Sequence, residues 1–411
     1  MLVLAGGYVI GHEVPVDVVV DGDRIHSVGA PAPPGTRTVD CAGATVVPGN
    51  VCGHTHLYSA LAAGMPAPPR VPASFRDVLE LVWWPLDRAL DASTVAASAR
   101  LGALEAVRCG TTSLVDHHAS GRFVEGSLDL VADALAEVGV RGIVCYETSD
   151  REGPDAAARG IAENIRFGKE NTRPLLSAMI GAHAGVTLSD ASLDALAVAV
   201  ETTGAGLHIH VAEDRWDADA PARLDAAGLV SAGNLFAHCV HVDESAAARM
   251  RDAGVTVAHN ARSNANNRVG DAEPRRLGTV VLGTDGIGAD MWAETQAAFL
   301  GDRRRHGDGA SYELAKTWLD AGADFVGGRF GGGLGAVTPG ALADLSVVDW
   351  GTPGGPGHWL FGPGAAGVRH VLIAGEVVYE DRRFTRLDEA EVRAHAREAA
   401  PRLWARMEDF R

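Results

Sequence analysis

Apolar and polar positions alternate with a period of two near the start of the chain. Val16-Asp-Val-Val-Val20 and Arg24-Ile-His-Ser-Val28 flank Asp21-Gly22, the pattern of a β-hairpin, because successive strand side chains face opposite ways and Asp-Gly tolerates a tight turn. From residue 48 the pattern changes. Short apolar runs at 113–116, 142–146, 175–181, 205–211, 235–238, 255–259 and 280–285 now alternate with helix-periodic segments such as 94–108, 128–138, 192–202 and 244–253. With the run that carries His54 these make eight strand-helix units, which predicts an α/β fold with a (β/α)8 TIM-type barrel. Strand runs return after about residue 335, at 343–348, 368–373 and 377–379, the last two around Ala374-Gly375. Neither chain end has enough strands to bury a face alone, so both are expected to meet in one small β-sandwich. A closing helix over 386–410, with Asp388 and Glu391 in capping-box spacing, completes the plan. The expected domains are a barrel over 48–335 and a sandwich of 1–47 with 336–411.

A length of 411 residues fits one barrel plus a smaller domain, and 46% apolar residues suffice for a large core. The formal net charge is −17 and no block of lysine or arginine occurs, which argues against nucleic acid and anionic membranes as partners. No basic segment followed by an apolar stretch opens the chain, and no run reaches the ~18 apolar residues of a membrane span. The expectation is a cytoplasmic protein acting on a small molecule. The five cysteines show no Cys-x-x-Cys spacing, so a zinc finger or a disulfide framework is not expected. The glycine-rich stretch 327–335 leads toward a strand rather than a helix, unlike a phosphate-cradling loop.

Chemistry enters with Gly53-His-Thr-His56, where an apolar run reaches a long proline-rich loop. Histidines two apart on a strand face the same way and can share one divalent ion. In a barrel the carboxyl ends of strands carry the site, and there lie His54, His56, His183, His210, His238, His259 and Asp285. Such a nitrogen and oxygen donor set suits zinc, iron(II) or manganese(II). Water is then the nucleophile, and no serine or cysteine triad is needed.

The segments Gly53-His-Thr-His56, Gly110-Thr-Thr112, His208-Ile-His-Val-Ala-Glu213, Ala237-His-Cys-Val-His241, His259-Asn-Ala-Arg-Ser-Asn264 and Leu282-Gly-Thr-Asp-Gly286 resemble those of the amidohydrolase superfamily, in its branch of deaminases and triazine hydrolases. Trp83-Trp-Pro-Leu-Asp-Arg-Ala-Leu-Asp91 and Val115-Asp-His-His-Ala-Ser120 resemble the SsnA-type aminohydrolases most closely. The resemblance runs nearly end to end. It implies one divalent metal, zinc first and otherwise iron or manganese, on His54, His56, His210 and Asp285. His208 shares a face with His210 and is the alternative ligand, but the family motif places glutamate three residues after the ligand, which is Glu213 after His210. Glu213 is implied to move a proton from the activated water to a substrate ring nitrogen, His238 to orient the nucleophile, and Asp285 to pass the second proton to the leaving amine. Binuclear relatives carry a lysine on strand four; the run 175–181 has none, which implies a mononuclear site.

For substrate contacts the resemblance points to His183 and Asp87, and the strand ends add Tyr146, Glu147 and, of the adjacent pair His117 and His118, the latter. Two departures from the family pattern stand out: Ala261 replaces a usual proline, with the unusually polar continuation Asn264-Ala-Asn-Asn267, and the segment Asp324 to Gly335 is richer in glycine. The implied activity is hydrolytic deamination of a purine, pterin, pyrimidine or triazine. The alternatives are the same machinery on a cyclic amide, an amidine or guanidine, or a carbon-halogen bond, and a catalytically silent binding protein. By family analogy a homodimer is expected.

Overall fold

In the computed structural model, which describes residues 1–410, the Leu2–Val9 strand draws both chain ends into one sheet. Its nine strands run in the order Arg383–Phe384, Glu376–Glu380, Val368–Ile373, Leu345–Val348, Thr45–Pro48, Leu2–Val9, Val16–Asp21 and Arg24–Val28, with Arg37–Asp40 also on Leu2–Val9. The hairpin expected at Asp21-Gly22 is present, with Asp21 opposite Arg24, and so is that at Ala374-Gly375, with Ile373 opposite Glu376. Leu2–Val9 changes partner midway: Leu2 to Ala5 pair with Arg37–Asp40, whereas Tyr8 and Val9 pair with Thr45 and Val46. Between them Gly6 adopts a φ of +68°, a bend that a side chain would oppose. Val18, Val46, Leu345 and Leu372 gather in a separate apolar core.

The other strands are all parallel and follow chain order. Asn50–Thr55, Thr111–His118, Arg141–Tyr146 and Leu176–Ala178 form one sheet, and Ile180–Ala184, Leu207–Val211, Leu235–His238, Thr256–His259 and Thr279–Leu282 form another. We number these one to eight, counting the two pieces around Met179 as strand four. That strand runs on to Ala184, so His183 lies within it rather than just after it. Strand eight stops at Leu282, earlier than the apolar run suggests, and Asp285 sits in the turn beyond. Isolated bridges join Thr148 to Ala182 and Thr55 to Asp285, and the backbone N–H groups of Thr284 and Asp285 donate to His54 O at 2.9 and 3.0 Å. Glycine makes this seam between strands one and eight possible. A Cβ on Gly283 would stand 2.7 Å from His54 Cβ, and one on Gly53 would stand 2.6 Å from Val281 Cγ2.

Helices Ala92–Arg108, Ser127–Val138, Asp190–Thr203 and Glu244–Ala253 fall where the periodicity places them. The closing helix starts at Glu389 rather than 386, because the Asp388 carboxylate accepts from the N–H groups of Ala390 and Glu391 and fixes the cap there. Arg141 on strand three grips Asp344, at the start of the returning chain, through Nε at 2.8 Å and Nη2 at 2.9 Å, with both side chains buried.

Candidate metal centre

The parallel strands bring their carboxyl ends together, and local backbone geometry then aims the side chains. On strand six Leu235 and Ala237 face the barrel interior and Phe236 faces outward, so alternation alone would send His238 outward too. Its φ of +72° turns it back over the mouth. Ala212, Cys239 and Asp285 are also left-handed, at +46°, +51° and +54°; such strain, about 1–3 kcal/mol per residue, persists where the surroundings enforce it.

Five donor groups converge. His56 Nε2 lies 2.9 Å from Asp285 Oδ1 and 3.2 Å from His210 Nε2, and His54 Nε2 is 3.7 Å from the same Asp285 oxygen. Ligand atoms of His54, His210, His238 and Asp285 all lie within 4.8 Å of one another. Beyond them His238 Nε2 is 3.6 Å from Glu213 Oε2.

Each imidazole is oriented through its other nitrogen. His56 Nδ1 donates to His117 O at 2.6 Å, His210 Nδ1 to His183 O at 2.7 Å and His238 Nδ1 to Asn264 Oδ1 at 2.8 Å. His54 Nδ1 meets His208 Nε2 at 2.8 Å, His208 Nδ1 meets Cys145 Sγ at 3.6 Å, and the Cys145 thiol donates to Asp116 O. One set of protons satisfies this chain: His54 donates to His208, and His208 donates to Cys145. All four rings then turn an Nε2 lone pair toward one point, the arrangement of outer contacts that metal-ligating histidines require. His208 is thereby a support for His54.

The donor set fits a cation. His54 Nε2, His238 Nε2 and Glu213 Oε1 are buried without a hydrogen-bond partner among the described residues. Burial lowers the pKa of His54 to about 3 and that of His210 well below the usual imidazole range, so both stay neutral. Burial would raise Asp285, but the adjoining His54 and His56 rings hold its carboxyl well below the usual range. Asp285 in turn outweighs burial at His56 and lifts that ring to about 9: the carboxylate demands positive charge here. Glu213 goes the other way, raised well above its ordinary value by burial and then by Asp285. Two carboxyl groups with opposed shifts are the material of an acid/base division of labour.

The polar run after strand seven forms a short helix, Ala261–Asn267, that faces inward. Ser263 Oγ donates to Asp285 Oδ2, Asn264 receives His238, and Asn267 donates to Ser263 Oγ at 3.2 Å and lies beside Glu213, where it favours the ionised carboxylate against burial. One helix thus touches three of the expected functional groups. The polarity was visible in the sequence, but the direction it faces was not. His259 turns elsewhere, toward Trp318.

Above the donors lies a narrow cavity that opens to solvent, with room for about 70 Å3 of water-accessible volume. His56, His210, Glu213 and Asp285 line its base, Asp87, Glu147 and His183 one side, and Trp83 and Trp84 the wall that covers it. Asp87 and Glu147 share Arg151, which the sequence reading missed: Nη1 is 2.8 Å from Asp87 Oδ2 and Nη2 3.4 Å from Glu147 Oε1. His183 Nε2 stands 3.7 Å from Glu147 Oε1. The expectation for His118 is corrected: His117 enters the barrel, with Nδ1 3.2 Å from Glu147 Oε2, while His118 packs outward and bonds Ser120 Oγ at 2.9 Å. Val115 faces inward, so parity along the strand selects His117. Tyr146 also stays outside this cavity, its hydroxyl donating to Ser120 O at 3.3 Å.

Residues 45–378 match the family described as "Amidohydrolase family". The chain belongs to that family. This amidohydrolase is 30% identical to a 5-methylthioadenosine/S-adenosylhomocysteine deaminase of Symbiobacterium thermophilum, across 98% of this chain and 99% of the relative. It is 28% identical to a 5'-deoxyadenosine deaminase of Methanopyrus kandleri, across 87% and 86% of the two chains. Among solved structures it superposes on a zinc-bound adenosine deaminase from Xanthomonas campestris with a TM-score of 0.85 at 23% identity, covering 98% of each chain. Atrazine chlorohydrolase TrzN from Arthrobacter aurescens, complexed with zinc, gives 0.82 at 20% identity, over 98% of this chain and all of that one. These likenesses show the amidohydrolase's fold, a TIM-type barrel.

Proposed function

We propose that this amidohydrolase is a metal-dependent aminohydrolase that removes an exocyclic amine, as ammonia, from a nitrogen heterocycle, and that an adenosine-type purine is the substrate to try first. The curated relatives named for adenosine derivatives support the substrate class. The chemistry rests on one observation: His54, His210, His238 and Asp285 bring their ligand atoms within 4.8 Å of one another, and His210 and Asp285 open with Glu213 into a cavity.

His54, His56, His210 and Asp285 would hold a single divalent ion, zinc before iron or manganese; His56 is preferred to His238 because it contacts both His210 and Asp285. Such an ion, when bound, lowers the pKa of its water toward ~7 and supplies hydroxide at neutral pH. Glu213 takes a proton from the attacking water and delivers it to a ring nitrogen, a shuttle suited to a carboxyl of raised pKa. His238, its Nδ1–H engaged by Asn264, offers its Nε2 lone pair to the water and orients it. Asp285, held ionised, accepts the second proton and passes it to the leaving amine. Asp87, Glu147 and His183 meet the polar edge of the substrate, with Trp83 and Trp84 over it.

The same reading carries the finer architecture. The Thr55–Asp285 bridge supports a barrel closed between strands one and eight, as domain 48–335, and the bend at Gly6 supports a sheet of residues 1–47 and 336–411 folded into a sandwich. A cytoplasmic homodimer completes it.

Elemental analysis of protein purified without added metal, with ammonia release measured over purines, pterins and pyrimidines, tests the proposal. About one metal per chain is expected, with ammonia from a purine nucleoside and a ~10²–10⁴-fold loss in Glu213→Gln at unchanged metal content. Products of another mass, without ammonia, would replace deamination by cleavage of a different bond; protein that holds no metal would refute the ligand assignment.

A further inference from the structure

Arg329 lies at the opposite face of the barrel, where the strands begin. Its Nη1 donates to Ala178 O at 3.2 Å and to Ala205 O at 2.9 Å, and the ring of Phe325 lies 5.6 Å from the guanidinium. Among the described residues no carboxylate comes within 4.0 Å of it. The other arginines of the same cavity are neutralised: Arg141 by Asp344, Arg173 by Asp129 and Asp133, and Arg386 by Glu376. Burial pulls the Arg329 pKa below its ordinary value. A partly buried cation without a counter-ion is costly, and this one occurs in a chain of net charge −17.

Two of the five guanidinium N–H groups are spent on the carbonyls. The three that remain form the Nε/Nη2 edge, which grips a carboxylate or phosphate through two parallel bonds. Arg329 lines a cavity of about 620 Å3 whose apolar walls include Leu175, Leu342, Phe330 and Ile373 and which also carries Asp23 and the Arg386-paired Glu376. We propose that this cavity binds a small organic oxyanion, a carboxylate or phosphate monoester on an apolar body, with Arg329 as its counter-ion. The site is separate from the metal centre and does not rest on the deaminase reading.

Calorimetric titration of full-length, metal-loaded protein with benzoate and with phenyl phosphate tests it. The expected result is saturable binding of one equivalent of at least one probe, weakened tenfold or more in Arg329→Gln and retained when the metal is stripped with a chelator. Ala136→Glu adds a carboxylate to the cavity wall without touching Arg329 and should weaken binding as well, so it decides the matter should Arg329→Gln fail to fold. The stronger probe identifies the head group. No saturable binding of either probe, binding that survives these substitutions, or binding that vanishes with the metal would overturn the proposal.

Discussion

Replacing His208 by phenylalanine probes the chain of contacts that aims His54 at the proposed metal position. The phenyl ring fills much of the space of the imidazole but accepts no hydrogen bond, so the buried His54 Nδ1–H loses its acceptor at 2.8 Å. A buried donor left unpaired costs about 1–3 kcal/mol. The ring can escape that cost only by moving its proton to Nε2, which removes the lone pair a metal needs. At about 1.4 kcal/mol per factor of ten, the penalty is a loss of roughly 5- to 150-fold in metal affinity, in line with the ~10–100-fold typical of residues that support a metal ligand. Competition against a chromogenic chelator of known affinity reads this directly, with thermal unfolding as a check on the fold. His208→Gln offers a carbonyl oxygen in place of the ring nitrogen and should recover most of the affinity. A folded phenylalanine variant within twofold of wild type, or equal affinities for the two variants, would show that backbone position alone orients His54.

Other contacts give sharper tests of single links. Asn267→Leu removes the amide that donates to Ser263 and lies beside Glu213; kcat should fall up to about tenfold, the worth of one hydrogen bond, with metal content and KM little changed, and an unaltered kcat would exclude a positioning role. Asp344→Asn leaves Arg141 charged, buried and without its partner, and should destabilise the fold by about 3–5 kcal/mol in urea titrations; a loss below about 1 kcal/mol would contradict the linking role of that pair. Glu294 is fully buried, and burial raises its carboxyl from 4.5 to about 8 against the pull of Arg262. Between those values the native state holds a proton that the unfolded chain has released, so stability falls as pH rises, by up to about 1.4 kcal/mol per unit. Glu294→Gln should therefore gain on wild type steadily from pH 5 to 8 in chemical denaturation, and a gap independent of pH would refute the shift.

The strand-helix alternation was readable because each barrel strand is a short apolar run closed off by an amphipathic helix. The break at Met179 was not, since 175–181 reads as one continuous run and only pairing with its neighbours divides it. His54, His56, His210 and Glu213 could be placed by spacing and motif. The choice between His117 and His118 was within reach too, had the inward position of Val115 been used to set the parity. His238 is different: its left-handed φ is imposed by packing, and no local signal announces it. The helix Ala261–Asn267 was hidden for a related reason. Four of its seven residues are serine or asparagine, weak helix formers that read as loop, and only His238, Asp285 and Glu213, brought beside it in three dimensions, explain its polarity. Arg151 escaped because an ion pair between distant segments leaves no periodic trace.

The glycine-lined seam between strands one and eight also bears on how the protein is made. Of the proposed metal ligands, His54 and His56 leave the ribosome early and Asp285 late, and Asp285 reaches its place only when Gly283 has closed against His54. A nascent chain that ends before that turn carries three of the four proposed ligands and an open edge, so the proposed site becomes complete only when the turn after strand eight has been made.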